Sequence, residues 1–147
     1  MYTDKVPAVV LKKAANKGML VDLTAAAVAD ASYVVLSRIK VSRLLFVVST
    51  ATVSSGNIVV AFKQYPTVGS SASAVTLGSL TIPTAIAAGK VYYKDISPAI
   101  LNAGDELVCE VTTAAAGGGA AGAGFFAVEC EFCPEYVSNQ SDMVASA

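Results

Sequence analysis

Cys130-Glu-Phe-Cys133 has the Cys-x-x-Cys spacing of redox pairs and zinc sites, and it is the arrangement in this chain with the best claim to chemistry. A redox pair needs converging thiols and profits from a helix N-terminus or a cation that lowers one thiol pKa. Here the motif closes a predicted strand beside Glu129, Glu131 and Glu135, whose charges raise a nearby thiol pKa. A zinc site built on Cys109, Cys130 and Cys133 would need a Glu or water as its fourth ligand, because the chain has no histidine. The favoured reading is core packing for Cys109 and Cys130, with Cys133 near the strand end. No metal and no cofactor are expected.

Carboxylates offer a second arrangement. Glu106, Glu110, Glu129 and Glu131 are expected to point outward from neighbouring strands and could share one exposed face. Glycosidase chemistry on such a pair needs a sugar cleft and tuned pKa values, and the chain has no Trp to build a platform. Calcium binding, a docking strip for a basic partner and an ordinary solvated face stay open, with the solvated face favoured. The absence of His removes a Ser-His-Asp triad and an imidazole switch. Gly117-Gly-Gly119 lacks the Gly-Lys-Ser/Thr ending of a phosphate-binding loop. The chain is therefore not expected to be an enzyme.

Basic residues are dispersed. Lys12, Lys13 and Lys17 cluster near the start, and Arg38, Lys40 and Arg43 are close in sequence, but residues 38 and 43 would face oppositely in a regular strand. The formal net charge is −1, and no recognition helix or basic–aromatic sheet is legible, so direct nucleic-acid binding is not expected. Val41–Ala51 is apolar but falls short of the roughly 20 residues of a membrane helix. Asp22 and Asp30 interrupt the stretch after the early lysines, which argues against a signal peptide. No membrane partner is expected.

The elements that must position these residues are short, Val-rich and separated by turn signals at roughly ten-residue spacing. Val34–Val41 and Arg43–Val53 read as strands with a bend or bulge at Ser42-Arg43, followed by a turn at Ser54–Asn57. Asn57–Tyr65 alternates, with Ile58, Val60 and Phe62 on one face and Lys63 and Tyr65 on the other, and Pro66 closes it. After a loop over Thr67–Ala74, Val75–Leu77 and Leu80–Ile82 read as fragments broken at Gly78-Ser79. Lys90–Ile96 is a further strand, ended before Pro98.

Glu106–Thr113 and Phe125–Cys133 read as a long antiparallel pair. Leu107, Cys109, Val111, Phe126, Val128, Cys130 and Phe132 point inward, while Lys63, Glu110 and Glu129 are expected to be well exposed. Thr112–Gly124, with five glycines, reads as a mobile hairpin loop, or as one ordered only against a neighbour, and deletion of Gly117–Gly124 is expected to spare the core. Gly18–Leu23 is a strand candidate, and Thr24–Ala29 an alternative short helix.

These readings give an all-β, antiparallel β-sandwich at 19–133, expected to be a jelly roll of about eight strands, with an N-terminal arm at 1–18 and a C-terminal tail at 134–147. Ala and Val fill 47 of the 147 positions and charged residues only 14%, which excludes a disordered chain and suits an assembly that buries its flanks.

In Gly18-Met-Leu-Val-Asp-Leu23, Val75-Thr-Leu-Gly-Ser-Leu-Thr-Ile-Pro83, Ala88-Gly-Lys-Val-Tyr-Tyr-Lys-Asp-Ile96, Leu101-Asn-Ala-Gly-Asp-Glu-Leu107 and Gly122-Ala-Gly-Phe-Phe-Ala-Val-Glu-Cys-Glu131 the chain resembles jelly-roll capsid decoration (cement) proteins of tailed bacteriophages. The resemblance implies a non-enzymatic virion protein on the external capsid surface, assembled in the host cytoplasm, self-associated as a homotrimer and bound to the major capsid protein. It implies contacts through termini and loops, here Lys12, Lys13, Lys17, Gly117, Gly118, Gly119, Gly122, Gly124 and Tyr136. The alternative is a carbohydrate-binding or adhesion module of a surface or tail-fibre structure, with Tyr65, Tyr92 and Tyr93 as glycan contacts.

Overall fold

The computed structural model describes residues 5–7, 20–25, 28–66 and 74–133. Ten strands are found there: β1 (Lys5–Pro7), β2 (Leu20–Asp22), β3 (Val28–Val34), β4 (Ile39–Val53), β5 (Ile58–Tyr65), β6 (Val75–Ile82), β7 (Ala85–Ile86), β8 (Val91–Leu101), β9 (Glu106–Thr113) and β10 (Ala121–Phe132). The protein is an antiparallel β-sandwich. Leaving aside the two short strands β1 and β7, the remaining eight pair as a rolled hairpin: β2 with β10, β3 with β9, β4 with β8 and β5 with β6. Pairing of β10 with β4, and of β9 with β5, closes the roll. The first sheet runs β2-β10-β4-β8 and the second β3-β9-β5-β6, which is jelly-roll order. β1 lies beside β10, so part of the expected arm is a strand of the first sheet.

Alternation fills the space between the sheets. Val41, Leu44, Phe46 and Val48 of β4, with Phe126, Val128 and Cys130 of β10, face Ile58, Val60 and Phe62 of β5 and Leu107, Cys109 and Val111 of β9. Phe62 and Phe126 meet across the sandwich edge to face, their ring centroids 5.8 Å apart.

Several expectations are corrected. β9 and β10 do not pair; they belong to opposite sheets, and the connection between them crosses the sandwich. It is also much shorter than the expected loop, since β10 already begins at Ala121. Val34 belongs to β3 rather than to one strand running to Val41. The chain changes sheet over residues 35–38, where Val35 N donates to Asp105 O at 2.8 Å. Val28–Val34 is strand, which overrides the helical alternative around Thr24–Ala29. Thr24 N instead donates to Asp22 Oδ1 at 2.8 Å in an Asx turn.

Gly78-Ser79 does not break β6. A Cβ at Gly78 would stand 3.0 Å from Leu44 Cδ1 and 3.2 Å from Ile96 Cγ2, so glycine there lets the first sheet pack closely. Pro98 does not end β8, because it falls in a bulge on an outer strand. Val41 pairs with Ala99 and Arg43 with Asp95, which leaves residues 96–98 opposite Ser42. The expected irregularity at Ser42-Arg43 is present on both flanks of β4.

Phe132 is 55% exposed despite its inward parity, since at the last residue of β10 the sandwich ends and inward no longer means covered. Lys63, Glu110 and Glu129 are only partly exposed, because each is drawn into an ion pair. Glu106, expected outward, is buried.

Candidate interaction surface

The sequence motifs do not assemble into one chemical site. Cys109 comes from the second sheet and Cys130 from the first. Both are buried in the core, and none of the three cysteines is in a disulfide. Burial, and then the charge of Glu129, push the Cys130 thiol up, the reverse of what a redox nucleophile needs. Cys133, just past β10, is half-buried, and its N–H donates to Arg38 O at 3.0 Å. Among the described residues no group of three or more His, Cys, Asp or Glu is placed to hold a metal ion.

A thiol reagent at mildly alkaline pH is therefore expected to modify Cys133 first in the folded protein. Cys109 and Cys130 should react only at the rate of unfolding. Simultaneous reaction of all three would show that the inter-sheet core opens far more readily than this packing allows.

The four glutamates also separate. Glu106 and Glu110 belong to β9 of the second sheet, the first buried and the second half-buried, and Lys63 Nζ donates to both carboxylate oxygens of Glu110 at 3.0 and 2.9 Å. Glu129 and Glu131 lie on the opposite side of the molecule, on the outer face of the first sheet. One shared acidic strip is excluded. The tyrosines diverge as well. Tyr65 pairs with Glu106 in the second sheet, Tyr92 packs against the core, and Tyr93 projects from the first sheet, 61% exposed.

The glycine-rich segment is ordered against its own chain. Ala115 N donates to Leu23 O at 2.7 Å, Ser55 N to Ala116 O at 2.7 Å, and Ala116 N to Ser54 Oγ at 3.1 Å. Gly117, Gly118 and Gly119 form its exposed tip. Gly117 and Gly119 have φ of +101° and +76°, which a side chain would resist. Gly122 and Gly124 are buried inside β10 and are not available to a partner in the folded chain. Lys12, Lys13, Lys17 and Tyr136 lie outside the described residues.

What strand pairing does assemble is a surface on the outer face of the first sheet. Cross-strand partners share a face, so register places side chains in rows. One row runs Leu20–Phe125–Val47–Val91, and the next Ala127–Leu45–Tyr93. Leu20, Phe125, Val91 and Tyr93 are exposed large hydrophobic residues, and Val47, Leu45 and Ala127 are half-buried between them. The third row is Glu129–Arg43–Asp95, and the fourth Glu131–Lys40–Ile100.

Lys40 and Arg43 share this face only because the extra residue at Ser42 resets the alternation. Arg43 Nε donates to Asp95 Oδ1 at 2.6 Å, and its Nη1 lies 3.6 Å from Glu129 Oε2. The hydrogen bond to Asp95, with the charges of Asp95 and Glu129, raises the Arg43 pKa further and keeps it charged. Its guanidinium sits 4.7 Å from the Tyr93 ring centroid, and Lys40 pairs with Glu131 at 3.5 Å. The result is an apolar patch bordered on one side by three acidic and two basic side chains that are paired with one another.

Sequence reasoning missed this patch. Its members come from four strands, and only register brings them together.

No protein-family model matches this chain, and no curated protein is a significant match.

Proposed function

We propose that this chain is a virion structural protein of the capsid-decoration type: a non-catalytic jelly roll that self-associates, with a homotrimer expected, and docks on the major capsid protein at the outer surface of the shell. The observation that carries the reading is the apolar outer face of the first sheet, on a scaffold where the thiols, carboxylates and tyrosines do not converge on one site. A folded domain that leaves two rows of large apolar side chains in water is built to be covered. Jelly rolls recur in viral capsid and lectin domains, so fold alone favours neither. The resembling stretches supply the preference for a capsid.

A carbohydrate-binding module is the competing reading, and Tyr93, exposed beside Asp95, is its one favourable feature. Arg43 stacks over that ring, and neither Tyr65 nor Tyr92 stands near it in the same row.

The discriminating experiment mixes purified protein with capsids that lack it and measures co-sedimentation and shell survival on heating. Saturable binding with a raised shell-disruption temperature is expected. Absence of binding, combined with Tyr93-dependent binding to immobilised glycans, would replace the decoration reading by the adhesion one.

A further inference from the structure

Three of the long strands, β8, β3 and β6, lie outermost in their sheets, and each carries an interruption of its own. In β8, residues 96–98 stand against Ser42 alone. In β3, Asp30 is extra, because Ala29 pairs with Glu110 and Ala31 with Cys109. In β6, Leu77 is extra, because Phe62 pairs with Gly78 and Lys63 with Thr76. Such bulges bend an edge and deny an incoming strand a straight ladder. β10 has no such protection. Wherever its pairing with β4 shifts register the extra residue belongs to β4, so β10 itself runs regularly from Ala121 to Phe132.

The regular strand is the one that is covered. β4 takes one edge of β10, so β1 and β2 both lie on the other, β1 over Glu129–Glu131 and β2 over Ala123–Phe125. With three residues and a proline among them, β1 is itself a poor template for a further strand. Twelve residues, 8–19, separate β1 from β2 in sequence, while their partners Glu129 and Phe125 stand four steps apart on β10, roughly 13 Å. β1 can therefore leave the edge without pulling β2 away. The same tether holds it at an effective concentration of about millimolar, which a competing strand would have to exceed.

We propose that β1 is an autoinhibitory cover: while it is paired, two copies of this chain cannot join edge to edge through β10, and when it is displaced they do, over Glu129–Phe132. The inference is independent of the capsid reading.

Hydrogen exchange and sedimentation velocity on the full chain, from micromolar to submillimolar concentration, test it. Val6→Pro leaves β1 with a single N–H, that of Lys5, and so breaks its ladder. Val6→Ile keeps the N–H and is the control. Lys5→Pro breaks β1 one residue away and should act as Val6→Pro does, and thermal melts verify that each variant folds. In the dilute proline variants, the β10 amides that face β1 should exchange at least about tenfold faster than in wild type. The same variants should associate at concentrations at least about tenfold lower than wild type, and protection of those amides should return as they do. Unchanged exchange in both proline variants overturns the inference, because β1 then covers nothing. Faster exchange with unaltered association also overturns it, because the open edge then accepts no strand. A fold lost in both proline variants overturns it as well, since a displaceable cover cannot be essential to the core.

Discussion

Gly124→Ala is expected to lower stability by about 3 kcal/mol, at the upper end of what an added methyl costs in a packed interior. A Cβ at this position would overlap the Phe46 ring and the Val47 carbonyl oxygen. Gly124 pairs directly with Val48 in β4, so the overlap arises where the two longest strands of the first sheet lie side by side. A flexible side chain could yield, but a carbonyl held in a sheet ladder cannot move without disturbing its neighbours. Gly118→Ala is the matched control, because a Cβ there meets nothing within 4 Å. Urea denaturation should show a large loss of midpoint for the first variant and a change within about 0.5 kcal/mol for the second. Equal midpoints would mean that β10 and β4 do not approach as closely as described.

Phe62→Ala and Phe126→Ala should each cost about 3–5 kcal/mol. Both rings are among the largest fully or nearly fully buried side chains, and each fills the space left by the opposite sheet. Removing either one leaves the other ring facing a cavity that strands on both sides hold open. The double variant should cost less than the two losses added together, by roughly 0.5–1.5 kcal/mol, since the second truncation has no aromatic contact left to break. Phe132→Ala, in the same strand but outside the core, should fall within about 0.5 kcal/mol of wild type. Strict additivity would mean the rings do not interact. A small cost for Phe62→Ala alone would mean the sheets collapse onto the gap.

The sequence made the class of fold legible because period-two alternation is a local signal. Ile58, Val60 and Phe62, or Leu107, Cys109 and Val111, announce a buried strand face without reference to anything distant. Pairing is another matter. Alternation in β9 and β10 says that each has a wet side, but not that the connection between them changes sheet. Gly78 and Pro98 look like breaks because their local effects are real. Each is tolerated for a tertiary reason, the close approach of Leu44 in one case and an outer-strand bulge in the other.

Composition groups Gly122 and Gly124 with a flexible loop, whereas their smallness is required under Thr52 and Phe46. Deleting 117–124 would therefore remove the start of β10 as well as the loop tip. The candidate surface was the least legible feature. Leu20, Leu45, Val91 and Phe125 are spread over more than a hundred positions of the sequence, and a one-residue insertion at Ser42 decides which charges border them.

The rolled pairing also dictates an order of events during synthesis. Only β5 and β6 can meet soon after they are made; β2 must wait for residues 123–125, and β3 for residues 106–111. At roughly 5–20 residues per second, the strand that completes the first sheet leaves the ribosome several seconds after the strand it must cover. Throughout that interval β4, fifteen residues long, carries an open edge along Ile39–Val53 and has no β10 beside it. An apolar edge left waiting is a template for pairing with other nascent chains. High-level expression should therefore lose material to aggregation in proportion to how slowly residues 54–132 are translated.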